Sequence, residues 1–343
     1  MLFRNYIKTA FRSIQRSGIY SVVNVLGLSI GLACSMLIII YVHHEFSYDR
    51  FHENAGQIFR LGRIIISSKG EIREPFSSAP TAKLMLQDFP EIISICRLKK
   101  SGKTIVKYSE ATFYEKDIYY ADSSVFDVFT LPMVHGDPAT ALRNPYSVVI
   151  TSEMAEKYFG NRLPVGNVLV FNNSMNFTVT GVIENLPVTS HLKINMLCSM
   201  QTLNNRNETG LNNWLNFDYL TYLLLDENAD HKTLESKFRV FIERYIRMDA
   251  DTDQGILDFY VVPLKKIYLF SYLDGDPPGL ISLVIMYIIL ALLLTIIVCI
   301  NFMNLVIARS TTRIKEIGIR KSNGAFKKNL AVQFLSESVF LSC

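Results

Sequence analysis

Two long apolar stretches without a charged residue constrain this chain more than any other feature of its sequence. One covers residues 20–42 and the other covers residues 280–308. A helix needs roughly 20 apolar residues to cross the hydrocarbon core of a bilayer. Both stretches are long enough, so the sequence predicts two transmembrane helices. A cleaved signal peptide is the alternative for the first stretch, but its apolar run is too long and no small-residue cleavage site follows it.

Basic residues beside the two stretches predict their orientation. Arginine and lysine residues precede the first stretch without any acidic residue, and they dominate segment 309–328, where Glu316 is the one acid. Such residues near the ends of a span remain in the cytoplasm. We therefore expect a cytoplasmic N-terminus, a cytoplasmic segment 309–328, and an outer location for residues 43–279. This is the topology of a multi-pass membrane protein.

The chain is thus expected to be a membrane protein in which transmembrane α-helices flank a mixed α+β extracytoplasmic domain. The last apolar run is too short to cross a bilayer, so the chain is expected to stop inside a third transmembrane helix; a short cytoplasmic amphipathic helix is the alternative. The expected segments are a cytoplasmic amphipathic interfacial helix (1–19), transmembrane helix 1 (20–42), the outer domain (43–279), transmembrane helix 2 (280–308), a charged cytoplasmic segment (309–328) and the start of transmembrane helix 3 (329–343).

Small and polar residues within the apolar stretches predict helix packing. Gly27 and Gly31 lie one turn apart in the first stretch, and small residues at this spacing let another helix approach closely. Asn301 and Asn304 lie near the inner end of the second stretch. Polar side chains in a span usually face other protein. All four residues are therefore candidates for contacts between helices rather than for a transport path.

The outer region has the patterns of a mixed α+β fold. Residues 177–184 alternate apolar and polar side chains, as a half-buried strand does. Thr151 can cap a helix that begins at Ser152, and Gly160 can end it. Residues 204–213 look like a loop, and we consider them as a boundary between two lobes. Further strands are expected at 58–66, 92–98, 147–150 and 219–225, and helices at 81–89, 152–159 and 232–245.

The sequence carries no motif that would support catalysis. Ser101 to Thr104 resemble the end of a phosphate-binding loop, but Arg97 occupies the position where that loop needs a glycine. The histidines and cysteines lack the spacing of a metal site. Cys96 and Cys198 lie in the outer domain, and we expect two buried free thiols, with a disulfide as the alternative. We expect no enzyme activity, no cofactor and no nucleic-acid partner.

Several segments, in order along the chain, resemble MacB/FtsX-like ABC transporter permeases. Segment 48–60 is similar to the region after the first span of these proteins. Segments 155–166 and 181–191 are similar to their periplasmic core domain. The most specific resemblance covers 301–325, which is similar to the second span and its cytoplasmic connection, and 333–338 is similar to the start of the third span.

This resemblance implies a permease subunit that works with a cytoplasmic ATPase. The partners it implies are that ATPase and a second permease copy or half, within the membrane. Segment 309–328 would then be a coupling segment, a charged helix fused to a span. The candidate coupling residues are Arg313, Glu316, Gly318, Arg320, Lys321 and Gly324.

Two other functions remain open at this point. A two-span extracytoplasmic sensor would have the same charge pattern, but such proteins continue as a coiled coil after the second span, whereas here Gly324 is followed by a new apolar run. An FtsX-like regulator of cell-wall hydrolases would have the same topology with a smaller outer domain. The sequence does not specify the substrate.

Overall fold

The fold is seen in a computed structural model of the chain, which describes residues 18–68, 70–206, 211–214, 216–246, 256–270 and 280–322. Of the expected interfacial helix at 1–19, residues 1–17 lie outside the described residues. Residues 323–343, which include Gly324, also lie outside. The chain divides into two compact units. The apolar helices form one unit, and His44–Ile281 forms the other.

Helices α1 (Gly18–Glu45) and α8 (Ile281–Ser322) are the long apolar helices of the first unit. By length and composition alone, two stretches within them could cross a membrane. They are Leu26–Glu45, with a mean hydropathy of 2.0, and Ile281–Asn304, with a mean hydropathy of 3.3. Helix α8 continues without a break from the apolar stretch into the charged segment that follows it.

The two helices pack side by side in opposite directions. Tyr41 packs edge-on against Tyr287 with 5.2 Å between ring centroids. Nearer the other end, Gly31 lies directly against Val298. Residue numbers thus increase along one helix as they decrease along the other, so the two helices are antiparallel.

The least exposed positions of each helix form a narrow seam. They alternate at spacings of three and four residues, the average of 3.5 that gives a slightly inclined, left-handed helix pair. In α1 these positions are Leu28, Gly31, Ser35, Ile38 and Val42, and in α8 they are Val284, Tyr287, Ala291, Leu294, Val298 and Asn301. The other faces of both helices are exposed and apolar.

A single mixed sheet forms the second unit. Among the described residues it has thirteen strands, in the order β13-β1-β12-β3-β6-β11-β8-β10-β9-β4-β5, with β2 also paired to β1 and β7 to β10. The pairs β8–β10 and β6–β11 are parallel, and the others are antiparallel. The strands are β1 (Ile58–Ser67), β2 (Gly70–Glu74), β3 (Ile92–Lys100), β4 (Thr104–Tyr108), β5 (Ala111–Glu115), β6 (Ile118–Ala121), β7 (Met133–His135), β8 (Ser147–Thr151), β9 (Val168–Phe171), β10 (Met175–Ile183), β11 (Met196–Ser199), β12 (Leu220–Leu225) and β13 (Ile256–Pro263).

Helices cover both faces of this sheet, so its central strands are buried on both sides. Strand β12 shows this most clearly: Tyr222 and Leu224 join one core cluster, whereas Leu223 and Leu225 join another. A strand buried on two faces is apolar throughout rather than alternating. The helices are α2 (Ala79–Asp88), α3 (Val125–Val128), α4 (Ser152–Phe159), α5 (Gln201–Asn205), α6 (His231–Tyr245) and α7 (Leu264–Phe270).

The elements expected from the sequence are present in this unit. The Thr151 hydroxyl accepts a hydrogen bond from the Met154 N–H at the start of α4, and Gly160 ends that helix with a φ of 57°. The expected lobe boundary at 204–213 is wrong, because His44–Ile281 is one compact unit and the sheet runs through it. Residues 204 and 205 also belong to α5 rather than to a loop.

The seam between α1 and α8 yields a first prediction. In Gly31→Ala the new Cβ would clash with Val298 Cγ2. We expect overpacking to destabilise the pair by about 1–3 kcal/mol, reduced by up to about 1 kcal/mol from the better helix propensity of alanine. Unfolding with sodium dodecyl sulfate, followed by circular dichroism, measures this loss.

Two further variants control this experiment. Gly27→Ala should be nearly neutral, because its Cβ would lie 3.8 Å from Asn301 Nδ2. Adding Val298→Ala to Gly31→Ala removes the clashing methyl group and should recover part of the stability. Equal stability of Gly31→Ala and the wild type would show that the helices do not pack closely here.

Candidate functional site

The chain turns sharply where α1 ends and the sheet unit begins. Asp49 has a left-handed backbone, with a φ of 56°, and no exposed surface. Aspartate tolerates this conformation better than most residues with a Cβ. Its backbone N–H donates to the Thr189 carbonyl oxygen at 2.9 Å. The turn therefore directs a buried carboxylate toward the loop that precedes β11.

That carboxylate starts a polar network, which we call the base network: Asp49, Arg60, His191 and Tyr222. The His191 backbone N–H donates to Asp49 Oδ1 at 3.1 Å. His191 Nδ1 lies 2.8 Å from the same oxygen, an electrostatic contact whose angles are not those of a hydrogen bond. On the other side of the ring, His191 Nε2 is hydrogen-bonded to the Tyr222 hydroxyl at 2.8 Å. Arg60 donates to that hydroxyl in turn.

The hydrogen bonds around Tyr222 in the base network have one consistent direction. His191 Nε2 can accept the Tyr222 proton, which leaves Nδ1 as the ring nitrogen that faces Asp49. The Tyr222 oxygen then accepts from Arg60, so a cation stands at one end of the network and an anion at the other. Burial, the largest influence on this group, raises the pKa of Tyr222, which keeps its hydroxyl protonated.

His52 lies beside this network and is kept neutral. Its ring packs between Phe51 and Phe129, with centroid distances of 4.0 and 5.2 Å. Its Nδ1 accepts a hydrogen bond from the Thr130 N–H at 3.1 Å. Burial lowers the pKa of His52 from 6.5 to about 4; Asp49 opposes this shift and His191 adds to it.

A second group of side chains, the span-end clamp, consists of Glu45, Tyr48 and Tyr268. The rings of Tyr48 and Tyr268 are stacked, with 3.4 Å between centroids and 4° between planes. Burial, followed by polar interactions with Tyr48 and Glu45, raises the pKa of the Tyr268 hydroxyl. Tyr48 follows α1 and Tyr268 belongs to α7, the last described helix before α8. The clamp therefore joins the segment that follows one apolar helix to the segment that precedes the other.

Buried polar atoms in both groups lack a partner among the described residues. They include Glu45 Oε2 and Asp49 Oδ2. An unsatisfied buried carboxylate oxygen is costly, by about 1–3 kcal/mol or more for a charged group.

The residues singled out in the sequence lie elsewhere. A Cβ built onto Gly27 would lie near Asn301, and one built onto Gly31 would meet Val298. The candidates Gly27, Gly31 and Asn301 are therefore on the facing sides of α1 and α8. Asn304 is exposed on α8. The coupling residues from Arg313 to Lys321 fall on the continuous helical backbone of α8, and Gly324 lies outside the described residues. The roles expected for them stay predictions.

Sequence reasoning missed the base network, because it considered the histidines only as metal ligands and found no suitable spacing. A signal was present. Asp49 belongs to segment 48–60 and His191 ends segment 181–191, two of the stretches that carry the family resemblance. The structure brings these two distant stretches together at one carboxylate.

The described residues contain no group of three or more side chains that could hold a metal ion. Cys96 and Cys198 are free and buried rather than joined in a disulfide. Burial raises the pKa of both thiols, so they are unreactive core residues.

Comparison with known proteins identifies the family. Residues 21–240 match the family described as the MacB-like periplasmic core domain, which is more than half of the chain. The chain therefore belongs to this family, and the resemblance to MacB/FtsX-like ABC transporter permeases is confirmed. No curated protein matches the chain.

Solved structures are also similar to the sheet unit. A domain of a protein designated a permease, from Porphyromonas gingivalis, has a TM-score of 0.57 and 21% identity, over 68% of this chain and 98% of that one, which shows the same fold. The periplasmic region of MacB from Actinobacillus actinomycetemcomitans has a TM-score of 0.44 and 16% identity, over 62% and 91%. The extracellular domain of the noncanonic ABC-type transporter YknZ from Gram-positive bacteria has a TM-score of 0.44 and 16% identity, over 60% and 99%.

The base network predicts that removal of one oxygen atom, the Tyr222 hydroxyl, strongly lowers the free energy of unfolding. Tyr222→Phe leaves His191 Nε2 and Arg60 without the hydroxyl in a buried site, and we expect a loss of about 1–3 kcal/mol in the free energy of unfolding. Urea unfolding of the detergent-purified chain, followed by Trp214 fluorescence, measures it. Tyr114→Phe is the matched control, because Tyr114 is 78% exposed; equal effects of both variants would contradict the network.

His52 predicts a pH dependence of stability. Between pH 6.5 and about 4 the unfolded chain binds a proton at this site and the folded chain does not. The free energy of unfolding should therefore decrease as the pH falls through this window, and be insensitive to His52 above it. His52→Asn should flatten the slope, as measured by urea unfolding at several pH values. An unchanged slope would rule out His52 as its source.

Proposed function

We propose that this chain is the permease subunit of a MacB/FtsX-type ABC transporter. In this proposal it transmits the motion of a cytoplasmic ATPase across the bacterial inner membrane to an extracytoplasmic domain, for export or extraction of a substrate. The chain itself has no catalytic role. The N-terminus is cytoplasmic, and a second permease copy or half completes the assembly.

The observation that carries the proposal is the presence of two side-chain groups, the base network and the span-end clamp, where the chain enters the sheet unit. The base network and the span-end clamp tie the segment after α1 to loop 187–193, to β12 and to α7. Force that reaches the end of α1 is thus passed through hydrogen bonds and stacked rings into the middle of the sheet. A flexible tether would absorb such a force instead.

The helix α8 supports the same function. It is one unbroken helix of 42 residues, with a rise of about 1.5 Å per residue. Because the helix is continuous, a shift at its charged end can be carried along its whole length. Glu316 lies one turn from both Arg313 and Arg320 and can pair with either. These charged groups can meet complementary charges on an ATPase, which favours a specific docking orientation.

Charge reversal tests this proposal. Glu316→Lys or Arg320→Glu should weaken co-purification of the full-length protein with its ATPase by about tenfold or more, since one misplaced interfacial charge costs a kcal/mol or two. Stimulated ATP turnover should fall in parallel. Lys232→Glu, an exposed change on α6, serves as the control. Retained ATPase binding with unchanged turnover in both test variants would remove the coupling role.

A further inference from the structure

We propose that one end of the sheet unit, which we call the basal surface, binds the lipid interface of the membrane. It consists of three exposed apolar side chains and the cations beside them. The apolar residues are Phe46, Val188 and Phe270, and the basic residues are Arg50, Lys193, Lys265 and Lys266. This inference rests on the membrane topology in the proposed function and adds a contact that the topology does not require.

The three apolar residues are exposed and lie at one end of the sheet unit. Val188 is 75% exposed, Phe270 is 43% exposed and Phe46 is 37% exposed. Scattered exposed apolar residues need no explanation, but several at one end of a domain mark a surface for binding protein or membrane.

Two contacts between segments place the three residues at the same end of the sheet unit. The Asp49 N–H donates to the Thr189 carbonyl oxygen, which holds the loop of Val188 against the turn of Phe46. Tyr48 stacks on Tyr268, which brings the end of α7, with Phe270, beside the same turn. The surface is therefore built from three separate segments that the base network and the span-end clamp hold together.

Cations accompany each of the three segments. Arg50 Nε donates to the Phe46 carbonyl oxygen at 2.6 Å, and Lys193 Nζ donates to the Val188 carbonyl oxygen at 2.8 Å. Lys265 and Lys266 are exposed on α7. Apolar tips flanked by lysine and arginine are the pattern of surfaces that rest in the headgroup region and attract anionic lipid.

The position of Phe46 in the chain decides between lipid and protein as the occupant. The apolar stretch that could cross a membrane ends at Glu45, the residue before Phe46. A helical residue advances by about 1.5 Å, so Phe46 cannot be far from the hydrocarbon boundary if that stretch spans. Val188 and Phe270 are held beside this turn, so they also lie close to the end of the span. Lipid headgroups are the surroundings expected at that position, which favours lipid over a partner protein.

Quenching by brominated lipid tests the contact. In a Trp214→Phe background, Val188→Trp gives the full chain a single tryptophan at the basal surface, and Tyr114→Trp gives one on the exposed strand β5. Leu37→Trp, on the exposed face of α1, marks the hydrocarbon core. Each variant is reconstituted in vesicles of phosphatidylcholine and phosphatidylglycerol, with or without bromine on the acyl chains near the headgroup.

We expect bromine to reduce the fluorescence of the Val188→Trp variant by about half, as for an interfacial side chain, and to leave the Tyr114→Trp variant unchanged. Adding Lys193→Glu and Lys265→Glu should weaken the quenching at position 188. Quenching of Leu37→Trp without quenching of Val188→Trp would overturn the inference and leave the topology intact. Absence of quenching in both would overturn the topology and, with it, the proposed function.

Discussion

One buried carboxylate governs how this chain passes from an apolar helix into a sheet. Asp49 has no exposed surface, and a buried charge is tolerated when hydrogen bonds and an opposite charge surround it. Its oxygen receives the backbone N–H of His191 and faces the imidazole of the same residue, while Arg60 closes the network through Tyr222. The left-handed turn, the loop of His191 and the central strand β12 are thereby fixed relative to one another.

The sequence predicted the large elements of the fold well, because their signals are local. Helix α4 appeared with the expected bounds since its cap and its terminating glycine are adjacent to it. Strand β10 was visible as an alternating run, and β12 as a continuous apolar one. Strands such as β5 and β7 were missed, because three to five residues give too little periodicity and their pairing partners lie far along the chain.

The candidate site could be predicted only in part, for the same reason. Segments 48–60 and 181–191 were recognised as family features, so the importance of their residues was visible. Their meeting at Asp49 was not, because 142 positions separate Asp49 from His191 and no local pattern reports such a contact. Tyr222 was hidden more completely. In an apolar strand it looks like core, and its hydroxyl gains a role only through the loop opposite.

Because β12 is buried on both faces, the number of residues in this strand determines which core each of its side chains enters. Successive side chains alternate between the core that contains Tyr222 and the core that contains Leu223. Inserting one residue ahead of Tyr222 within the strand would exchange the two sets of side chains, move the phenol to the opposite face and place the inserted residue against the imidazole. Insertions of one and of two residues within this strand are thus not equivalent. The residue spacing along β12 therefore determines whether Tyr222 lies on the face of the sheet that meets the base network.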